Sequence, residues 1–354
     1  MKLFQCQNCG NAVHFDNTAC VSCGMRLGYL PESGQLSALT PDEAGGWRPL
    51  ADPDTRYLSC DNAAYDACNW LVRADDGRTV CAACRHNHMV PDLTVPHNLA
   101  GWRKLEGAKH HLFYSLLRWH LPAPDRAEDP AHGLAFDFLA DSTAPTGGPQ
   151  AVLTGHDEGL ITINIAEADD AEREKRRTAM GEPYRTLLGH FRHEVGHYYW
   201  DVLVRDGGRL EAFRAVFGDE TADYGAALQA HYENGPPAGW QEAYISTYAT
   251  SHPWEDFAET WAHYLHMVDA LETAGSFGLT VQPRIANGGE LQAEVTFQPY
   301  KAPDAAALIT AFVPLTVAIN AINRSMGQPD LYPFVLSAPV MQKLQFIHDI
   351  VSGH

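Results

Sequence analysis

One short stretch of the chain contains residues that could carry metal chemistry. His193-Glu194-Val195-Gly196-His197 places two imidazoles four residues apart. On an α-helix this spacing puts both rings on one face, one turn apart, where they can bind a single zinc ion. Glu194 would then lie beside the water at the metal and could act as a general base. Because the motif is short, a pair of histidines satisfied within a core is the alternative explanation.

A third ligand is needed, because catalytic zinc commonly takes three protein ligands and keeps one position for water. The continuation HExxHxxGxxH is absent, since positions 200 and 203 are tryptophan and leucine. A second predicted helix begins at Pro253 and carries Glu255 and Glu259 on one flank. We expect Glu255 to bind the metal and Glu259 to support a ligand. Asp256 is expected to point toward solvent.

All eight cysteines lie in the first quarter of the chain, at the spacing of metal ligands. Two Cys-x-x-Cys pairs, each followed by a glycine, predict a first four-cysteine zinc site: Cys6, Cys9, Cys20 and Cys23. The second set begins with a longer spacing: Cys60, Cys68, Cys81 and Cys84. His86 or His88 could substitute for a cysteine there. Disulfides are the alternative, which the lack of an export signal disfavours.

The composition predicts a soluble globular protein with an acidic balance. Hydrophobic residues make up 45% of the 354 residues, and the formal net charge is −19. This charge disfavours nucleic acid as a partner. The apolar run 305–313, next to Pro314, is shorter than the roughly 20 residues that span a bilayer, so no membrane partner is expected. Because the first residues contain no apolar signal segment, we infer a cytoplasmic protein.

The cysteine-rich segment 1–95 contains few large apolar residues, so two structural zinc ions would supply folding free energy that a small core lacks. It carries seven Lys or Arg against eleven Asp or Glu. We therefore predict a zinc-ribbon module that recognises a protein substrate or partner. A purely stabilising role is the alternative.

The elements that must position the motif residues follow the cysteines. A helical pattern over 98–120 predicts a connecting helix. Strand-like runs at 134–139, 151–154 and 160–165 predict a small mixed sheet. The run 160–165 is also our candidate for an edge strand that receives an extended peptide.

The motif helix is expected over 183–205, opened by Pro183 and stopped by the glycines at 207 and 208. A hairpin over 279–297 and helices over 305–326 and 338–351 complete the fold. The predicted domains are a zinc-ribbon module, a connecting helix and a catalytic domain, at 1–95, 96–130 and 131–354.

The segment from Tyr248 to Glu259 adds a resemblance to a known family. It reads Y-x6-E-x-F-A-E, which resembles the lethal-factor-like branch of the gluzincins, where a tyrosine precedes the ligand glutamate by seven residues. The strings HEVGHYYWD and SHPWEDFAETWAHYLH, together with the ribbons, are similar to bacterial zinc-binding metallopeptidases with a zinc-ribbon head. This second resemblance covers nearly the whole chain.

These resemblances imply an α+β, zincin-like fold and zinc-dependent hydrolysis of peptide bonds. Catalytic zinc would be held by His193, His197 and Glu255, with Glu194 moving the proton. Tyr248 would donate a hydrogen bond to the oxyanion.

Glu259 would fix the tautomer of a ligand histidine. Asp201 is a second candidate for that supporting role. A catalytically inactive scaffold that binds proteins through its ribbons is the alternative function.

Overall fold

The structure is a computed structural model that describes residues 1–143, 149–150, 152, 154–173, 186–285 and 288–353. The chain forms two compact units, Met1–Arg173 and Glu174–His354. Both helices and sheets are present, as the sequence predicts. The first unit contains the cysteines, and the second contains the HExxH motif.

The cysteine-rich segment of the first unit forms a two-stranded and a five-stranded antiparallel sheet. Their strands follow chain order: β1 (Phe4–Gln5), β2 (Ala12–Val13), β3 (Leu27–Leu30), β4 (Gln35–Pro41), β5 (Trp47–Pro49), β6 (Tyr57–Ser59) and β7 (Leu71–Arg73). One apolar cluster of Leu30, Leu39, Tyr57 and Leu71 packs against Trp47. Phe15, Tyr29 and Trp70 of the same segment are also buried and pack against one another, so the segment has more core than its composition predicts.

Further along the first unit lies a four-stranded mixed sheet with the order β12-β13-β9-β8, beside a separate pair, β10 and β11. The strands are β8 (Asn87–Met89), β9 (Ala135–Leu139), β10 (Ser142–Thr143), β11 (Pro149–Gln150), β12 (Gly155–Asp157) and β13 (Leu160–Asn164). The mixed sheet and its runs at 134–139 and 160–165 are confirmed. Residues 151 and 153 of the run at 151–154 lie outside the described residues.

The expectation that 160–165 is an edge strand is wrong. β13 pairs with β12 on one side, antiparallel, and with β9 on the other, parallel. Both rows of its backbone groups are therefore used within the sheet, and no extended peptide can add to it. The turn at Glu158 and Gly159, both with positive φ, folds β12 back onto β13 and covers the edge.

Helix α1 (Pro96–Arg118) confirms the helix predicted over 98–120. It begins with a proline in its first turn and buries one apolar face, which includes Trp102, Leu105 and Leu112. The helix lies against the cysteine-rich segment of the same unit. The His110 and Trp70 ring centroids are 5.1 Å apart.

The second unit is built mainly from helices around the HExxH motif. They are α2 (Leu187–Tyr199), α3 (Leu210–Phe217), α4 (Tyr224–Asn234), α5 (Pro253–Ser276), α6 (Ala305–Ser325) and α7 (Ala338–Ser352). A short hairpin, β14 (Thr280–Val281) with β15 (Ala293–Glu294), lies between α5 and α6, as the sequence predicts.

Helix α2 carries the motif and begins later than the proposed Pro183, which lies outside the described residues. Its N-cap is Thr186, whose hydroxyl oxygen accepts a hydrogen bond from the Gly189 amide at 2.9 Å. The helix continues as a π-helical turn, Trp200–Arg205, before the glycines at 207 and 208. The predicted end of the motif helix is thus confirmed.

Helix α5 begins as predicted, with Pro253 in the first turn and the His252 side chain accepting a hydrogen bond from the Trp254 amide at 3.1 Å. Its apolar stripe packs on α2, where Tyr199 and Trp261 stack with centroids 4.9 Å apart. Gly196 makes this packing close, because a Cβ there would lie only 3.0 Å from the Ala258 Cα.

Helix α6 is, among the described residues, the one helix long and apolar enough to cross a membrane, with a mean hydropathy of 2.0. The helix continues past Pro314 to Ser325, so it is longer than the apolar run 305–313 on which the sequence-based expectation of no membrane segment was based. In the protein it packs against α5 and α7, and 39% of its most apolar window is buried.

The expectation that Asp256 points toward solvent is also wrong. Its side chain is 1% exposed and lies 2.6 Å from the ammonium of Lys343, on α7. Lys343 also donates to the carbonyl oxygen of Ala243 at 2.7 Å. Helix α7 covers the flank of α5 that helix periodicity alone assigned to solvent.

This buried pair leads to a prediction for stability. Asp256→Ala should lower the free energy of unfolding of the second unit by about 3–5 kcal/mol, because it leaves the Lys343 ammonium buried without its counter-charge. The control is Asp330→Ala, which removes a partner of the 66%-exposed Arg324 and should cost at most about 1 kcal/mol. Urea unfolding of the two variants measures the difference, and equal midpoints would contradict the assignment.

Candidate metal centre

Two helices bring three metal-ligating groups to one point in the second unit. The Nε2 atoms of His193 and His197 are 3.3 Å apart. The Glu255 Oε2 atom lies 3.0 Å from the first and 3.5 Å from the second. Glu255 is 1% exposed, so its charge is almost fully removed from water.

The donor set fits a zinc ion. With zinc–nitrogen bonds of about 2.0–2.1 Å, a tetrahedral site has edges of about 3.3 Å, close to the three distances observed. The Glu255 Oε2 atom accepts no hydrogen bond among the described residues, although it is buried. A buried carboxylate oxygen without a hydrogen-bond donor is suited to bind a cation, since an unpaired buried charge is strongly unfavourable.

Two groups hold these donors in place. The His193 Nδ1 atom donates to the Glu259 carboxylate at 2.7 Å, so that Nε2 of the neutral ring keeps its lone pair for a metal. The Tyr224 hydroxyl donates to the other carboxylate oxygen of Glu255 at 2.6 Å. The two oxygens of Glu255 are thus distinguished, one for a hydrogen bond and one for the metal position.

Glu194 lies in the same site with its side chain 8% exposed. His190, one turn earlier on α2, donates from Nε2 to a Glu194 carboxylate oxygen at 3.0 Å. Burial alone would raise the pKa of Glu194, but the hydrogen bond from His190 and the nearby imidazoles outweigh it and hold the pKa below its ordinary value. The carboxylate is therefore ionised and able to accept a proton.

Tyr248 is half-buried, and its ring centroid lies 5.8 Å from that of His193. Burial, followed by the charge of Glu255, raises the pKa of the Tyr248 hydroxyl above its ordinary value. The group therefore remains protonated and can donate.

Asp201 and His263, a histidine of α5, have contacts away from the three donors. Asp201, proposed as a supporting residue, accepts from Arg205 at 2.8 Å. His263 forms a hydrogen bond with the Tyr332 hydroxyl at 2.9 Å. Neither belongs to the described group of three that could hold a metal.

The eight cysteines of the first unit are free thiols gathered in two groups of four. Sulfur–sulfur distances are 3.7 Å for Cys6–Cys23, 3.6 Å for Cys9–Cys20 and 3.7 Å for Cys68–Cys81. A disulfide needs about 2.05 Å, whereas the edge of a tetrahedral zinc–thiolate site is about 3.8 Å. Both groups therefore have the spacing of zinc ligands.

Local turns create the first of these groups. Gly10 and Gly24 have φ values of 76° and 74°, and each amide donates to the carbonyl oxygen of the cysteine four residues earlier at 2.8 Å. A hydrogen bond from the Asn8 side chain is the main cause that lowers the pKa of Cys23 to about 6. The thiolate form that binds metal is thereby favoured.

In the second group, the suggested histidines do not join the sulfurs. His86 contacts the Leu134 carbonyl oxygen through Nδ1 at 2.8 Å, and His88 contacts Asp137 at 2.7 Å. The histidine that does reach this group is His110, on α1. Sequence spacing could not identify it, because 26 residues separate it from Cys84.

Two residues of the metal centre also escaped sequence reasoning. His190 carried a signal, since it lies four residues before Glu194 and hence on the same helix face. Tyr224 carried none, because α4 brings it to Glu255 from 31 residues away.

Comparison with known proteins shows the family to which the chain belongs. Residues 98–350 match the model of a family described as "Putative zinc-binding metallo-peptidase", and residues 3–95 match that of a "zinc-ribbon domain". Uncharacterized proteins of Mycobacterium bovis and of Mycobacterium tuberculosis strains CDC 1551 and H37Rv are each 43% identical over 354 residues. These alignments cover 99% of this chain and 95% of each relative. No solved structure matches the chain.

The donor geometry leads to a prediction for metal content. Glu255→Ala should remove one zinc ion per chain, because only two imidazoles would then remain. Asp256→Ala is the matched control, since that side chain faces Lys343, and it should retain the metal. Elemental analysis of both proteins provides the measurement. Retention of the full zinc content by Glu255→Ala would refute the ligand assignment.

Proposed function

The chain belongs to the family described as "Putative zinc-binding metallo-peptidase", and on this basis we propose that it is a zinc-dependent endopeptidase with a zincin-like catalytic domain of the gluzincin type. The observation that carries the proposal is the group formed by His193, His197 and Glu255, with the orphaned Glu255 oxygen inside it. Glu194 lies on α2, and Tyr248 lies in the turn just before α5. These two residues supply the polar groups that peptide hydrolysis needs.

His193, His197 and Glu255 would hold a zinc ion, which would act as a Lewis acid and lower the pKa of water toward neutrality. Glu194 accepts the proton from the attacking water and returns it to the leaving amine. His190 fixes the Glu194 carboxylate while it does so, through the 3.0 Å hydrogen bond. Tyr248 donates to the oxyanion that develops on the scissile carbonyl.

The supporting residues keep the site organised through this reaction. Glu259 holds the His193 ring in one tautomer, and Tyr224 holds Glu255. Restricting these groups before the substrate arrives means that little reorganisation is needed at the transition state. The same arrangement accounts for the Y-x6-E-x-F-A-E spacing, because Tyr248 and Glu255 must both reach one centre.

The partners and location follow as further parts of the proposal. A chain with a formal net charge of −19 is suited to a peptide or protein substrate rather than to nucleic acid or a membrane. The zinc-ribbon module, residues 1–95, would contribute a protein-binding surface. Two structural zinc ions and one catalytic ion, within a cytoplasmic protein, complete the assignment.

An inactive scaffold that acts as an adaptor is the second candidate function. It has no need of Glu194, Tyr248 and His190 in the orientations described. An experiment that separates the two functions is to incubate the purified chain with a mixture of unstructured peptides and to identify cleavage sites by mass spectrometry. A peptidase should cleave the peptides, and an adaptor should not.

Glu194→Gln should abolish this cleavage by several orders of magnitude, because it removes the proton acceptor and leaves every metal ligand in place. Zinc content and the thermal transition should match those of the parent chain. Turnover equal to that of the parent would reject Glu194 as the base.

Tyr248→Phe should lower kcat by about 10²–10³, the usual effect of losing one oxyanion donor, with little change in KM. Tyr232→Phe is the control, since Tyr232 is 61% exposed on α4 and should leave kcat unchanged. A raised KM without any loss in kcat would place Tyr248 in substrate binding instead.

A further inference from the structure

The second cysteine site has a fifth donor that its spacing does not reveal. His110 is 4% exposed, and its Nε2 atom lies 3.3 Å from the Cys68 sulfur, 3.6 Å from the Cys84 sulfur and 3.9 Å from the Cys81 sulfur. The imidazole therefore caps a face made by three of the four sulfurs.

The main chain places the proton on the His110 ring. Nδ1 lies 2.6 Å from the carbonyl oxygen of Glu106, which can only accept, so Nδ1 is the donor. In the neutral ring, Nε2 then keeps a lone pair on the side of the three sulfurs. Metal-ligating histidines commonly have this arrangement, with the second nitrogen bonded to a carbonyl or a carboxylate.

The distances fit a mixed sulfur and nitrogen site. With zinc bonds of about 2.3 Å to sulfur and about 2.0–2.1 Å to nitrogen, a tetrahedron has sulfur–sulfur edges of about 3.8 Å and nitrogen–sulfur edges of about 3.6 Å. The Cys68 and Cys81 sulfurs are 3.7 Å apart, and the three distances to His110 lie around the second value. The same three sulfurs can thus form a tetrahedron with either of two apices.

We propose that the second cysteine site has five donors for one zinc ion, and that His110 can take the place of Cys60. Cys60 is the exchangeable ligand because it is the one sulfur of the four outside the face that His110 caps. The site would therefore keep its metal when the Cys60 thiolate is lost.

Neighbouring residues keep His110 in position and limit other donors. Glu106 and Lys109 are fully buried and form an ion pair at 2.8 Å. The same Glu106 oxygen accepts from the Asn87 side chain at 2.8 Å. The other oxygen, Oε2, lies 3.4 Å from the Cys84 sulfur alone, whereas the His110 nitrogen faces three sulfurs and is the better additional ligand.

The first cysteine site supplies the matched comparison. Its group contains Cys6, Cys9, Cys20 and Cys23, and among the described residues no histidine joins it. Loss of one thiolate there leaves three protein donors, whereas loss of Cys60 leaves four.

The test uses the full chain purified with zinc, with zinc per chain measured by elemental analysis. Cys60→Ser should keep the parent zinc content, and Cys6→Ser should lose one ion. His110→Gln, which preserves the size of the side chain, should also keep the parent content because all four sulfurs remain. The double variant Cys60→Ser with His110→Gln should lose one ion.

Cobalt substitution gives a second readout. The Cys60→Ser chain should show weaker sulfur-to-cobalt charge-transfer absorption than the parent, with its cobalt content unchanged. Zinc loss or failure to fold in Cys60→Ser would overturn the proposal, as would a double variant that keeps the ion. Zinc loss in His110→Gln alone would also overturn it, because the imidazole would then be obligatory rather than exchangeable.

Discussion

The second unit depends on a buried carboxylate that needs a positive partner. Glu255 is almost completely removed from water, and one of its oxygens has no hydrogen-bond donor among the described residues. Its position in the first turn of α5 brings some favourable helix-dipole interaction, but this is small compared with the cost of an unpaired buried charge. The close packing of α2 on α5 at Gly196 brings two imidazoles to that oxygen. A cation bound between them would compensate this charge.

Those parts of the site that depend on local helix periodicity could be predicted from sequence. His193, His197 and Glu255 lie on two helices whose starts and faces follow from caps, prolines and apolar spacing. Asp256 was misplaced for a physical reason. A polar helix flank usually faces water, and only the tertiary fold shows that α7 covers it with Lys343.

Contacts between segments that are far apart in the chain could not be predicted from the sequence for the same reason. The run at 160–165 has the alternation of a half-buried strand, but alternation does not identify the strands on either side. Tyr224 and His110 likewise lie on helices, and nothing in the sequence indicates which residues these two side chains contact. In the first unit, α1 contributes a nitrogen to a group of sulfurs that ends before the helix begins.

Helix α4 differs from the helices that carry the metal donors. It buries none of its side chains, is flanked by Gly218 and Gly235 with positive φ, and still provides the hydroxyl that contacts Glu255. Segments with so few buried contacts open at a small fraction of the global unfolding free energy. Detachment of α4 would break the Tyr224–Glu255 and His231–Thr250 hydrogen bonds and separate the Tyr224 ring from His252 and Trp254, and it would leave the Glu255 carboxylate without its hydroxyl donor.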